Sequence, residues 1–255
     1  MLGGKVTITN QRSAMILRIP MIVILTLAFW SGCSPLGEDL AKKSGREAAG
    51  TKDVTVAAAE EESHLDPATR QIVDKYGPTI KSYAQEYGFD WRLILAVMKQ
   101  ESRFEPEAES DRGATGLMQI MPVTGAEVAR SLALEDLSHP GANIRAGVYY
   151  LRKLYDLYDG SNDADRLKLT LASYNAGAGR VYDAQELAAY LQDDPGRWQS
   201  VRDALPLLSR RYETLHRSVW QTQRPRNGWF GGSRQTIAYV DAVVEHYETY
   251  LRELN

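Results

Sequence analysis

The sequence predicts a mostly α-helical domain over residues 66–255, and three observations carry that expectation. From Asp66 onward, apolar residues recur at helical spacing between residues that suit helix ends. No stretch sustains the alternation of a half-buried strand. Residues 34–65, by contrast, are rich in Ala, Glu, Lys, Gly and Ser and nearly free of large apolar side chains. Such a segment cannot bury enough surface to offset its ordering entropy, so it reads as a flexible linker.

The elements follow in order. Asp66-Pro67 is an N-cap with proline at the first helical position. Residues 67–76 and 78–87 read as two short helices broken at Gly77-Pro78, and Gly88 ends the second. Asp90 caps a helix that runs to about Arg103. Later helices are expected at 123–133, 141–158, 165–175, 183–191, 198–210 and 234–253. The last carries Val240, Val243, Val244, Tyr247, Leu251 and Leu254, a stripe suited to packing. No internal repeat is visible.

Composition narrows the classes of function. A chain of 255 residues that is 44% hydrophobic suits one domain with a core plus some non-globular sequence. Its net charge of -3 is close to balance, so nothing global points to nucleic acid. Cys33 is the single cysteine, which excludes an intramolecular disulfide. With four scattered histidines it makes no metal-ligand spacing. No metal or other cofactor is expected.

Cys33 sits where an export signal would end. Arg12 and Arg18 precede the apolar run Ile19 to Trp30, and Ser31-Gly32 follow it. The run is shorter than the roughly 20 residues a membrane span needs. Its ending resembles a lipobox, apart from Trp30 where that pattern usually has leucine. Residues 1–33 are therefore read as a lipoprotein signal peptide with Cys33 as the lipidated residue, in preference to a signal anchor with an incidental cysteine. Ser34 after the cysteine, rather than aspartate, favours the periplasmic face of an outer membrane.

The helix opened by Asp90 carries the one strong candidate for chemistry. Ile94, Val97 and Met98 lie seven, four and three residues before Glu101, so they share its face. A carboxylate at the end of a buried stripe is costly in its charged form, so desolvation should raise its pKa. A general acid for glycosidic cleavage needs that property. Spacing alone equally allows a glutamate that merely leaves the core at a helix end.

The following motifs weigh against the plainer reading. Glu101-Ser102 is followed by Gly116-Leu117-Met118-Gln119, then by Ser173-Tyr174-Asn175-Ala176-Gly177. In these residues the chain resembles the lytic transglycosylases of the soluble, goose-lysozyme-like type (glycoside hydrolase family 23). Their hallmarks are a Glu-Ser pair, a Gly-Leu-Met-Gln segment and an Ala-Tyr-Asn segment. The third departs here only in Ser173. The His139 to Leu151 segment, Phe89-Asp90-Trp91-Arg92-Leu93, Pro195-Gly196-Arg197-Trp198, Ala204 to Leu208 and the closing helix are similar to the membrane-bound F branch of that family. The resemblance covers about residues 70–254. That branch usually carries an upstream domain similar to solute-binding proteins, for which no counterpart is expected here.

The resemblance implies a lysozyme-like helical domain with a cleft, acting on peptidoglycan glycan strands. It implies that Glu101 protonates the bond between N-acetylmuramic acid and N-acetylglucosamine, then accepts the proton of the muramoyl 6-hydroxyl, leaving a 1,6-anhydro end. One carboxyl serving first as acid and then as base needs no second carboxylate, so Asp111 and Glu109 read as solvated loop residues. By the same resemblance Ser110 and Gln119 line the cleft, Asn175 reaches the substrate or the loop, Met121 or, less well, Met118 floors a sugar ring, and Tyr174 points its hydroxyl at Glu101. Two alternatives remain: a hydrolase on the same fold, and a non-catalytic peptidoglycan-binding scaffold lipoprotein. Arg197 to Arg234 holds eight arginines against Asp203 and Glu213. That stretch either docks acidic peptide stems or is a solvated, internally paired face.

Overall fold

The computed structural model describes residues 65–254. The signal peptide, Cys33 and the linker up to residue 64 lie outside the described residues. Among the described residues the elements are α1 (Pro67–Glu86), α2 (Trp91–Ser102), α3 (Pro122–Leu132), α4 (Pro140–Tyr155), α5 (Asp163–Ala176), α6 (Ala178–Tyr190), α7 (Trp198–Ala204), α8 (Glu213–Val219) and α9 (Ser233–Glu253), with short 3-10 turns between some of them. The only extended pairings among these residues are isolated bridges, Glu109 with Thr115 and Thr115 with Ile120. The fold is mostly α, as the patterning predicted.

The architecture centres on α2. Every residue from Leu93 to Met98 is buried, so this helix is apolar on all sides and lies inside the bundle. It packs along α9 and against α1. On the far side α5 packs on α4, α6 and α9. Asp90 starts α2 as expected, accepting a hydrogen bond from the Arg92 N–H at 2.8 Å. Glu101 and Ser102 are its last residues, so the acid stands where the buried helix meets the surface.

Four boundaries differ from expectation. The break at Gly77-Pro78 is absent, and α1 runs unbroken through Pro78. A mid-helix proline costs about 3 kcal/mol. Here Ile72 and Ile80 are buried on either side of it, and Gly77 itself is buried. Packing on both flanks outweighs the local preference. Helix α6 begins at Ala178, five residues before the predicted 183, because Gly177 at φ +86° ends α5 and opens α6 with no loop between them. The predicted 198–210 helix stops at Ala204 and tightens into a 3-10 turn at Pro206. Helix α8 was not anticipated. Its buried His216 packs between Trp220 and Trp229, with ring centroids 5.4 and 5.0 Å away.

Candidate active site

The chain leaves α2 through two consecutive left-handed residues, Arg103 at φ 53° and Phe104 at φ 71°. Such conformations cost energy in non-glycine residues and persist where the surroundings enforce them. Ser102 supplies the enforcement. Its hydroxyl lies 3.1 Å from the Met98 carbonyl and 2.9 Å from the Leu117 carbonyl, and it accepts the Phe104 N–H at 3.1 Å. The serine after the acid therefore fastens the acid's helix to the loop that carries Gln119.

That loop, residues 105–121, is pinned a second time by Asn143. This fully buried side chain of α4 accepts the Met118 N–H at 2.8 Å and donates to the Thr115 carbonyl at 3.0 Å. Gly116, at φ +78°, has no room for a side chain, since a Cβ there would lie 2.5 Å from the Asn143 amide. Gly147 plays the matching part for Met118, which would be 2.5 Å from any Cβ on that glycine. Met118 is thus core, while Met121 is 40% exposed. Gln119 holds a strained φ of 47°. Its amide nitrogen donates to the carbonyls of Ala108 (3.0 Å) and Gly116 (3.1 Å), which leaves its carbonyl oxygen for the cleft. Ser110 accepts the Ala114 N–H at 3.0 Å and closes the loop's turn; it lines neither cavity described below.

The expected partner of Glu101 is corrected. Tyr174 donates its hydroxyl to the Met118 carbonyl at 2.8 Å, not to the acid. The donor to Glu101 is Tyr239, 2.6 Å from Oε1. It comes from α9, 138 residues along the chain, because α9 packs along α2. Sequence reasoning missed it. Its one signal was a tyrosine directly before Val240 on the buried stripe, where a hydroxyl must find a partner; which partner depends on tertiary packing. Asn175 accepts a hydrogen bond from Thr236 at 2.9 Å and ties α5 to the first turn of α9.

Electrostatics set the proton states. Glu101 keeps partial exposure as a residue, yet its carboxyl is largely surrounded by protein. Burial pushes its pKa from the ordinary 4.5 up to about 7, against the opposite pull of the Tyr239 hydrogen bond. Burial, and then the charge of Glu101, hold the Tyr174 and Tyr239 hydroxyls well above the ordinary tyrosine value. Both therefore remain donors at any working pH.

Two adjoining cavities form the cleft. One of about 270 Å³ is lined by Gln119, Met121, Thr124, Tyr150 and Tyr174. The other, of about 550 Å³, is lined by Arg180, Phe230, Gln235 and Thr236. Arg112, Asn175 and Ala176 line both. Glu101 is in neither lining, but its charge acts on Tyr174, which lines the smaller cavity. No Asp or Glu lines either cavity, and Glu109 and Asp111 are exposed on the loop. Of the eight arginines from 197 to 234, Arg202, Arg217 and Arg226 pair with Asp241, Glu213 and Glu186.

Comparisons with known proteins agree with this geometry. Residues 78–195 match the family model described as the transglycosylase SLT domain. The chain is 38% identical over 175 residues to a membrane-bound lytic murein transglycosylase F of Desulfosudis oleivorans, covering 68% of this chain and 36% of that protein. It is 34% identical over 179 residues to the protein of the same name from Marinobacter nauticus, covering 70% and 33%. The chain spans about a third of the length of the curated relatives it matches. A solved complex of the 70-kDa soluble lytic transglycosylase with bulgecin A aligns at a TM-score of 0.50 and 23% identity, over 72% of this chain and 25% of that one. That last likeness concerns the fold.

Proposed function

We propose that this domain, whose residues 78–195 match the transglycosylase SLT domain model, is a lytic transglycosylase acting on the glycan strands of peptidoglycan. The observation that carries the reading is a single carboxyl, Glu101, pushed up to about 7 beside a cleft whose lining holds no carboxylate. A group half-protonated near neutrality can give a proton and then take one back. Glu101 protonates the glycosidic oxygen between N-acetylmuramic acid and N-acetylglucosamine. The C–O bond breaks, and the substrate's own N-acetyl group stabilises the cation. The muramoyl 6-hydroxyl then attacks the anomeric carbon while Glu101, now a carboxylate, accepts its proton. The 1,6-anhydro product forms with no water consumed, and no second carboxylate is required.

The chain's other residues hold this geometry. Tyr239 fixes the orientation of the carboxyl and eases its ionised state. Tyr174 clamps the Met118 carbonyl and so sets the height of the loop beneath the sugar. The carbonyl oxygen of Gln119 and the Asn175 amide meet polar groups of the substrate, and Met121 floors a ring. Ser110 supports the loop from outside the cleft.

Location follows from the relatives' names and from the leader. We place the enzyme in the cell envelope, tethered by a lipid on Cys33 to the periplasmic face of an outer membrane. Digestion of purified sacculi followed by mass analysis tests the reaction. Muropeptides with anhydro ends are expected; ends heavier by one water would identify a hydrolase instead. Intact sacculi would leave only a binding scaffold. Palmitate labelling that survives in a Cys33→Ala variant would remove the anchor.

A further inference from the structure

The two cavities differ in chemistry. The smaller is walled by Tyr150, Tyr174 and Met121, surfaces suited to a sugar ring. The larger is lined by Arg112 and Arg180 and by no carboxylate. Arg180 is partly committed: its Nη1 donates to the backbone carbonyls of Asn227 and Gly228, and its guanidinium stands 5.7 Å from the Phe230 ring. One turn along α6, Asp183 is buried and taken by two hydrogen bonds from Asn227, at 3.0 and 3.1 Å. Arg180 forms no ion pair with it.

Arg112 is the more informative residue. It is exposed, forms no ion pair among the described residues, and lines both cavities at their junction. Its position follows from the loop: Gly113 donates to the Ser110 carbonyl at 2.8 Å, and Ser110 accepts Ala114, so the turn at 110–114 carries residue 112 outward. The first turn of α9, which starts without a side-chain cap, adds positive potential to the same wall. A cavity with two cations and no internal counter-charge favours an anionic ligand, and a guanidinium suits a carboxylate in two-point contact.

Given the proposed reaction, on which this rests, we infer that Arg112 is a specificity residue that reads a carboxylate carried on the muramoyl substituent next to the bond cleaved. That carboxylate has two sources. Intact substituents carry it on the peptide stem, and stripped strands expose it on the lactyl ether. The stem is the assignment made here, because the larger cavity extends beyond the sugar-lined one.

The test compares wild type with Arg112→Gln and Arg112→Glu on three ligands. These are peptide-bearing strands, amidase-stripped strands, and a neutral N-acetylglucosamine hexamer used as a competitive inhibitor. Arg112 is exposed on the loop, so both variants should fold, which circular dichroism checks. Loss of one charge-assisted contact should lower kcat/KM on peptide-bearing strands about tenfold through KM, and the glutamate variant should go further. A loss confined to peptide-bearing strands supports the stem. An equal loss on stripped strands, with hexamer inhibition unmoved, transfers the contact to the lactyl carboxylate and overturns the stem assignment. Equal losses on all three, or none, overturn carboxylate recognition while anhydro products still stand for the reaction. If wild type cleaves neither kind of strand, the reaction and this inference fall together.

Discussion

Two irregular stretches, one that lines the cleft and one that leads into its Phe230 to Gly232 wall, are held in opposite ways. Residues 103–121 are tied down by buried, neutral side chains from two helices, Ser102 on α2 and Asn143 on α4. Residues 220–228 are held from a single helix. Arg180, Asp183 and Glu186 fall at intervals of three along α6, so they share one face. That face takes the Asn227 amide, the Trp220 indole at 2.6 Å and the Arg226 guanidinium at 2.6 Å. Apart from Asp183, these fasteners are charged and partly exposed. The difference teaches where precision is needed. The loop behind the acid positions reacting atoms, and buried hydrogen bonds with no slack suit that task. The stretch that leads to the far wall needs only to be present, and surface ion pairs suffice.

The largest expected effect falls on the acid. Glu101→Gln keeps the shape and removes the ionisable proton, so sacculus cleavage should drop by about 10³-fold or more. The same variant has a stability signature. The folded-state pKa of Glu101 is raised, so its contribution to stability is fully present below about 4.5 and is lost as pH rises through about 7. The wild-type melting temperature should therefore fall between these values and flatten above them. The glutamine variant should lack that fall and should be more stable at pH 8, by on the order of 3 kcal/mol. Identical pH–stability curves for the two proteins would mean that the carboxyl is not desolvated.

The next effect measures the buried fastening. Asn143→Ala leaves the Met118 N–H without its partner inside the protein, while the Thr115 carbonyl keeps the Ile120 N–H at 3.0 Å. The abandoned buried donor costs about 1–3 kcal/mol, so denaturant unfolding should register a loss of about 2 kcal/mol. Activity should fall with it, because the loop that carries Gln119 loses its register. Retained stability would show that water replaces the amide, and the contrast between the two stretches would lose its basis.

A pair of tyrosines sharpens the contrast within the rigid side. Tyr239→Phe removes the one donor to Glu101. The acid's pKa should rise further, and the limb of the kcat/KM profile near pH 7 should move to higher pH. The rate should fall about tenfold as the carboxyl loses its orientation. Tyr174→Phe loses a bond to a backbone carbonyl, worth about 1 kcal/mol of stability, and should leave that limb in place. A limb that moves with Tyr174 and not with Tyr239 would restore the assignment the sequence suggested.

These residues also mark how far the sequence could be read. Caps and periodicity located α2, α9 and the edge position of Glu101, because those signals are local. The motifs placed Gln119 and Asn175 at the cleft for the same reason: each lies in a short continuous run. Tyr239 and Asn143 were not legible as site residues, since their roles arise from contacts 138 and 25 residues apart in the chain. The unbroken α1 and the early start of α6 were hidden similarly. Packing around Pro78 and a direct turn at Gly177 override preferences that a local reading must respect.

The smallest effect tests the exposed side of the comparison. Arg226 pairs with Glu186, but its side chain is 70% exposed, and Glu186 also accepts from Trp220. Truncating it removes a screened charge pair and leaves no buried group unsatisfied. Arg226→Ala should shift the unfolding midpoint by a small fraction of the Asn143→Ala shift. That small shift should vanish in high salt, where wild type has already lost the attraction. The Asn143→Ala loss should survive the same salt, since a buried amide contact is not screened. If Arg226→Ala were as costly as Asn143→Ala, or equally indifferent to salt, the 220–228 wall would be built on the same principle as the loop behind the acid. Its arginines would then have to be counted as architecture rather than as surface charge.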